Sequence, residues 1–145
     1  EDFVYKDIAD NFGSISRRTQ NLFRNNLEDK FISKGLQAYI IVICDNEGAI
    51  ADEITKILKV DKGTTARAIA KLEKEKYILR VQDENDKRKY KLYSTDKSKE
   101  LYAKIVALYY NIAEEALNIL DEKEEKELLR ILGKVRAHIK EIDDR

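Results

Sequence analysis

The sequence predicts a mainly α-helical fold carrying one small β-hairpin (α+β), and three observations carry that prediction. Proline is absent and only five glycines occur, so long helices lack their commonest breakers. Apolar residues recur at helical spacing near both ends of the chain, from Ile8 to Leu27 and from Leu101 to Ile142. Between Tyr77 and Tyr93 the pattern changes to alternation, rich in aromatic and β-branched residues.

Taken in order, residues 1–29 read as a helix with Ile8, Phe12, Ile15, Leu22, Phe23 and Leu27 on one stripe; Gly13 and Ser14 allow a bend. Lys34-Gly35 marks a break. Ala38 to Cys44 is a dense apolar run, and by content alone it fits a buried strand or a buried helix. The order of the elements downstream favours the helix, closed by Asp45-Asn46-Glu47-Gly48. Ala51 to Leu58 is the next short helix, with Ile54, Ile57 and Leu58 inward and Asp52 and Glu53 in its first turn.

Asp61 then caps a helix running from Lys62 to about Lys76. Ala66, Ile69 and Leu72 define its inner side. Thr64, Arg67, Lys71 and Lys74 define the outer side, with Gly63 and Ala68 allowing close backbone approach. Tyr77 to Val81 and Lys89 to Tyr93 read as strands around a polar tip, Gln82 to Arg88. Ser94 or Thr95 caps a long helix with the stripe Leu101, Ile105, Leu108, Ile112, Ala116 and Ile119. After the acidic start at residues 121–127, a last helix carries Leu128, Leu132, Val135, Ile139 and Ile142 at heptad-like spacing.

Helix, turn, helix, hairpin is the order of a winged helix-turn-helix. There the second helix enters a DNA major groove and the hairpin reaches the flanking backbone or minor groove. The predicted organisation is an N-terminal dimerisation helix in 1–35, a winged helix-turn-helix in 36–95 and C-terminal dimerisation helices in 96–145. A monomeric helical bundle is the alternative use of the same stripes.

Charge supports a nucleic-acid reader. The 145 residues balance 28 basic against 28 acidic side chains, so net charge is zero. Ten basic and five acidic residues fall between Lys62 and Lys91, a basic module on an acidic remainder. A solvated charged surface is the plainer meaning of such a cluster. A charged fraction of 39% is high, but 43% hydrophobic residues suffice for a folded core. The mean hydropathy is -0.58, and no apolar run approaches the ~18 residues that span a bilayer. A single cysteine excludes an internal disulfide framework and fits a reducing, cytoplasmic compartment. The chain begins at Glu1 and has no methionine, so it is expected to be less than the full translated product.

Three segments resemble the MarR/SlyA family of winged-helix transcriptional regulators. Val60 to Arg67 is similar to the family's recognition-helix opening, and Leu72 to Arg80 to its exit into the wing. Asp86 to Thr95 matches the wing signature D-x-R-x-x-x-L-x-L-T at Asp86, Arg88, Leu92 and Thr95, with Ser94 in place of a leucine. Lys76 and Ser98 stand where the family usually has glycine. The resemblance implies a homodimer on double-stranded DNA, at a pseudo-palindromic operator. It also implies regulation, as repressor or activator, by a small aromatic or amphiphilic effector. It places Arg88 in the minor groove, with Asp86 positioning it. Lys62, Thr64, Thr65, Arg67, Lys71 and Lys89 are the remaining candidates for DNA contacts. The physical chemistry is apt: arginine suits a narrow minor groove, guanidinium pairs bidentately with guanine, and hydroxyls and helix-start amides bind phosphate.

Other readings are weaker. Cys44 lies in an apolar run, where a free cysteine is ordinarily a small core residue rather than a sensor. His138 is the only histidine, so no metal site is expected. No catalytic residue or cofactor is expected either, because no nucleophile–base pair or phosphate-cradling loop occurs. Tyr39, Tyr102, Tyr109 and Tyr110 could line an effector pocket or serve as packing anchors. A winged-helix protein-interaction module is the competing function; it would show an apolar or acidic outer face between Lys62 and Lys76. A DNA-binding regulator without an effector is a third.

Overall fold

Local signals explain most of the helix ends. The computed structural model describes residues 2–145, with side chains from residue 3 onward. Helix α1 spans Asp2–Asn26 and runs through Gly13 and Ser14 without interruption. The part of the expected first helix that falls on Glu1 lies outside the described residues, and Leu27 to Asp29 leave the helix. A 3-10 turn, Ile32–Lys34, comes next, with Asp29 Oδ1 accepting from the Ile32 amide at 3.0 Å. Gly35 then takes φ 104°, where a side chain would be strained.

The ambiguous apolar run is a helix, α2 (Gln37–Asp45), with Tyr39, Ile40, Val42 and Ile43 buried. Helix α3 occupies Ala51–Leu58 and α4 Lys62–Lys74. Strands β1 (Ile78–Gln82) and β2 (Tyr90–Ser94) pair antiparallel, Arg80 opposite Leu92. Each strand sits one residue later than its sequence pattern indicates. Helix α5 covers Asp96–Leu117, and α6 covers Glu122–Asp143 behind a capping box formed by Asp121 and Glu124. Ile119 therefore falls outside α5, and it is exposed.

The chain divides into two compact units, one ending at Tyr109 and one from Tyr110 onward. The core of the first gathers Phe23, Ile32, Ile40, Ile43, Ile54, Leu72, Ile78, Leu92 and Ile105, all essentially inaccessible to solvent. Phe23 stacks on Tyr109 at 4.4 Å between ring centroids. Ala49 bridges to Leu92, its carbonyl accepting from the Leu92 amide at 2.8 Å, which ties the start of the helix-turn-helix to the wing. Two inward assignments change. Ile57 is half exposed, so Ile54 alone is the buried residue of α3. In α4 the buried positions are Thr65, Ala68, Ile69 and Leu72, while Ala66 faces outward. The second unit has no buried residue on α6, and Leu132, Val135, Ile139 and Ile142 are all exposed there.

Candidate nucleic-acid interface

The first turn of α4 is built by one carboxylate. Asp61 Oδ1 accepts from the Thr64 amide at 2.7 Å, satisfying one of the free donors at the helix start. Its other oxygen accepts from the Thr64 hydroxyl at 2.8 Å. These bonds hold the Asp61 carboxyl below the ordinary carboxylate value, the Thr64 amide first among them. Lys62, Arg67 and Lys71 are exposed on α4 and Thr64 is partly exposed. Arg67 Nη2 donates to Thr64 Oγ1 at 3.2 Å.

Thr65 departs from the expected surface set. Its side chain is 1% exposed, and its hydroxyl accepts from Thr55 Oγ1 at 2.8 Å. That bond joins the two helices of the helix-turn-helix from inside. The hundred-degree step per residue turns Thr65 inward when its neighbour Thr64 faces out.

The far end of α4 closes in a Schellman motif. The Tyr77 amide donates to the Leu72 carbonyl at 2.8 Å and the Lys76 amide to Glu73 at 3.0 Å. Lys76 takes φ 63°, so the left-handed position is held by a lysine. Thr95 Oγ1 donates to the Lys76 carbonyl at 2.9 Å, and Lys97 Nζ donates to that of Glu75 at 2.8 Å, covering two carbonyls left free by the helix end. The Tyr77 hydroxyl donates to Asp29, while its ring stacks on Phe31 and lies under Lys97. Ser98, in the place of a usual glycine, is buried and exchanges bonds with Thr95 at the start of α5: its hydroxyl accepts from the Thr95 amide at 2.9 Å.

The wing tip is ordered by two aspartates. Asp83 Oδ1 accepts from the amides of Asn85 and Asp86 at 2.7 and 3.1 Å. Asp86 Oδ1 accepts from both the amide and Nε of Arg88 at 3.1 Å, and Oδ2 from Nη2 at 3.3 Å. The Arg88 side chain is 90% exposed despite these three contacts. It is therefore aimed, and still open to a partner. Lys89 is exposed beside it.

Arg80 is a residue that sequence reasoning passes over. It lies 4.4 Å from the Tyr90 ring centroid and 3.6 Å from Glu73, linking the wing to the last turn of α4. The sequence alone does not single it out, because its seat over Tyr90 depends on the strand register that sets Arg80 opposite Leu92. A cavity of about 350 Å³ opens between α4 and the wing, with Ala66, Ala70, Arg80, Arg88 and Tyr90 in its walls. A second, of about 320 Å³, lies on the other flank of α4; Phe31, Leu36 and Tyr39 form apolar walls and Lys34, Arg67 and Lys71 a cationic rim.

The remaining candidates are dispersed. Cys44 is half-buried on α2, and burial pushes its thiol up, with Glu47 adding to the effect. Tyr39 is buried with an unpartnered hydroxyl, the Tyr102 hydroxyl donates to Asp45 at 2.7 Å, and Tyr110 is exposed. His138 lies 3.6 Å from Glu141 on α6. Among the described residues no cluster of metal-binding side chains occurs. None of their helices is long and apolar enough to cross a membrane.

Two helices joined by a tight turn, a basic outer face on the second and an arginine-tipped hairpin beside it define a winged helix-turn-helix reader. The sequence profile of the MarR family matches residues 37–90. The HTH-type transcriptional regulator YybA of Bacillus subtilis is 31% identical over 133 residues, spanning 92% of this chain and 89% of that protein. The crystal structure of the transcriptional regulator SlyA superposes with a TM-score of 0.80 at 31% identity, covering 93% of this chain and 95% of that one. A MarR-family regulator from Listeria monocytogenes, solved with a 26mer DNA, matches at a TM-score of 0.76 and 31% identity, over 90% of this chain and 87% of that one. The chain belongs to the MarR/SlyA family of winged helix-turn-helix transcriptional regulators.

Proposed function

We propose that the protein grips a pseudo-palindromic operator as a homodimer and acts as a ligand-responsive repressor in the cytoplasm. The observation that carries this reading is the exposed set Lys62, Thr64, Arg67 and Lys71 on α4, beside an Arg88 held at the wing tip by Asp86. In this reading Lys62, Lys71 and Lys89 meet phosphates, Arg67 reads a base in the major groove and Arg88 enters the minor groove. An interaction module would present an apolar or acidic face where α4 presents threonine, arginine and lysine.

The arms in 1–35 and 96–145 pair two copies around the reader in 36–95. Support comes from apolar side chains left in water: Phe3, Tyr5, Phe12 and Ile15 on α1, and Leu129, Leu132 and Ile139 on α6. An aromatic acid is the proposed effector class. The cavity of about 320 Å³ beside α4 combines apolar walls with a cationic rim, which suits a ring bearing a carboxylate.

The test is titration of a duplex selected from a random pool, its half-site variants and a scrambled duplex, at several salt concentrations, with and without phenolic acids. Arg88→Ala should weaken all duplexes together, lower the salt slope by about one unit per subunit and erase preference for A·T-rich flanks. Arg67→Ala should relax specificity at one position per half-site, at a cost of ~1–3 kcal/mol. An unchanged salt slope in Arg88→Ala would exclude the wing from the interface. Equal weakening of every duplex by Arg67→Ala would reduce that arginine to a phosphate contact. Affinity indifferent to every phenolic acid would remove the proposed effector class.

A further inference from the structure

Arg67 is exposed, yet its guanidinium has a hydrogen-bond partner on its own helix turn, Nη2 donating to Thr64 Oγ1. We propose that Asp61, Gly63 and Thr64 form a positioning relay that sets the orientation of Arg67 and thereby the base it reads. The inference rests on the DNA-reading function proposed above.

The relay follows from proton counting. A threonine hydroxyl has one proton and two lone pairs. Thr64 donates its proton to Asp61 Oδ2 at 2.8 Å, so toward Arg67 it can only accept, and Nη2 donates to it at 3.2 Å. Asp61 is itself locked, because its other oxygen holds the Thr64 amide at 2.7 Å. The chain of bonds runs from the helix cap to the guanidinium.

Gly63 supplies the second half of the geometry. A Cβ at Gly63 would lie 3.2 Å from Arg67 Nη1 and 3.2 Å from Asp61 Oδ1. The guanidinium therefore lies across the first turn of α4, in space that a side chain at 63 would crowd. Nε, Nη1 and the second proton of Nη2 remain for a base edge. An arginine ordered before binding loses less rotamer freedom on contact and discriminates more sharply between bases.

Thr64→Val keeps the β-branched shape and the backbone amide that the cap needs, and removes the hydroxyl. Thr64→Ser restores it. Gly63→Ala adds the crowding methyl to a position where alanine favours helix. Two readouts are required. The first is nitrogen-15 relaxation of Arg67 Nε in the free protein. The second is the ratio of affinities for duplexes differing at the base pair that Arg67→Ala relaxes.

The expected result is an ordered Arg67 guanidinium in the parent and Thr64→Ser, and a mobile one in Thr64→Val. Thr64→Val should lose about fivefold or more of the discrimination at that base pair, Gly63→Ala should shift or weaken it, and Thr64→Ser should keep it. Thr64→Val placed in the Arg67→Ala background should leave that ratio where Arg67→Ala alone put it. Unchanged Arg67 motion in Thr64→Val overturns the relay, as does a uniform affinity loss with discrimination intact, which would make Thr64 a simple phosphate ligand. A parent with an ordered guanidinium but no base preference overturns the DNA-reading function, and the inference with it.

Discussion

Single residues decide how α4 is framed. Lys76 occupies a left-handed position at φ 63°, where a Cβ meets the backbone and glycine does not. The surrounding bonds impose that conformation: the Tyr77 amide to Leu72, the Thr95 hydroxyl to the Lys76 carbonyl, and the buried Tyr77 ring behind it. Lys76→Gly should therefore stabilise the fold by roughly 0.5–1 kcal/mol, the relief of strain being partly offset by a freer unfolded chain. Urea unfolding at fixed protein concentration measures this. A destabilised Lys76→Gly would mean that the lysine side chain contributes more than its backbone strain costs. Thr95 illustrates the same scale: one hydroxyl serves the exit of α4 and the start of α5, which accounts for a threonine at the end of the wing signature.

The wing is an element whose shape depends on ionised carboxylates. The Arg88 side chain, then its amide, holds the Asp86 carboxyl below the usual value, and the Asn85 and Asp86 amides do the same for Asp83. A depressed folded pKa means that these groups add stability above the unfolded value of about 3.9, and that this is lost as pH falls through the folded value. The tip should thus stay ordered at about pH 5 and loosen only below about pH 4. Hydrogen exchange at the Asn85, Asp86 and Arg88 amides, followed against pH, is the direct measurement. Asp86→Asn should speed exchange at the Arg88 amide even at neutral pH and free the Arg88 guanidinium. Identical exchange in Asp86→Asn and the parent would show that turn geometry alone sets the tip.

At the scale of the whole molecule the open apolar faces matter most. On α1, Phe3 and Tyr5 are each 78% exposed, and α6 buries nothing, although both helices carry regular apolar stripes. A helix with such a face is stable in water when the face is covered. Sedimentation at micromolar concentration in moderate salt should give about twice 16.9 kDa. Replacing Leu132 and Ile139 together by lysine should shift the species toward monomer and reduce operator affinity, while the wing and α4 keep their amide spectra. A parent that sediments as a clean monomer would leave these stripes without the proposed partner.

Features decided within a few neighbouring residues are legible in the sequence itself. Asp61 as the cap of α4, Asp121 with the acidic start of α6, the break at Gly35 and the limits of α3 all depend on contacts three or four positions apart. Charge clustering and the Asp86–Thr95 signature likewise point to the family. The run from Ala38 to Cys44 cannot be assigned by content, because a segment with no charged residue shows no polar period to follow; folded, it is a helix with Tyr39, Ile40, Val42 and Ile43 buried. The strands lie one residue later than their pattern because the bond from the Asp83 amide to Lys89 and the Ala49–Leu92 bridge set their register. Thr65 and Ala68 turn inward and Ala66 outward because Thr55 on α3 and the core beneath it choose the wet side of α4. Sequence by itself determined the features that depend on near neighbours: caps, periods, charge and family. Only the tertiary structure decided burial, register and the seat of Arg80 over Tyr90, since those depend on groups brought close by folding.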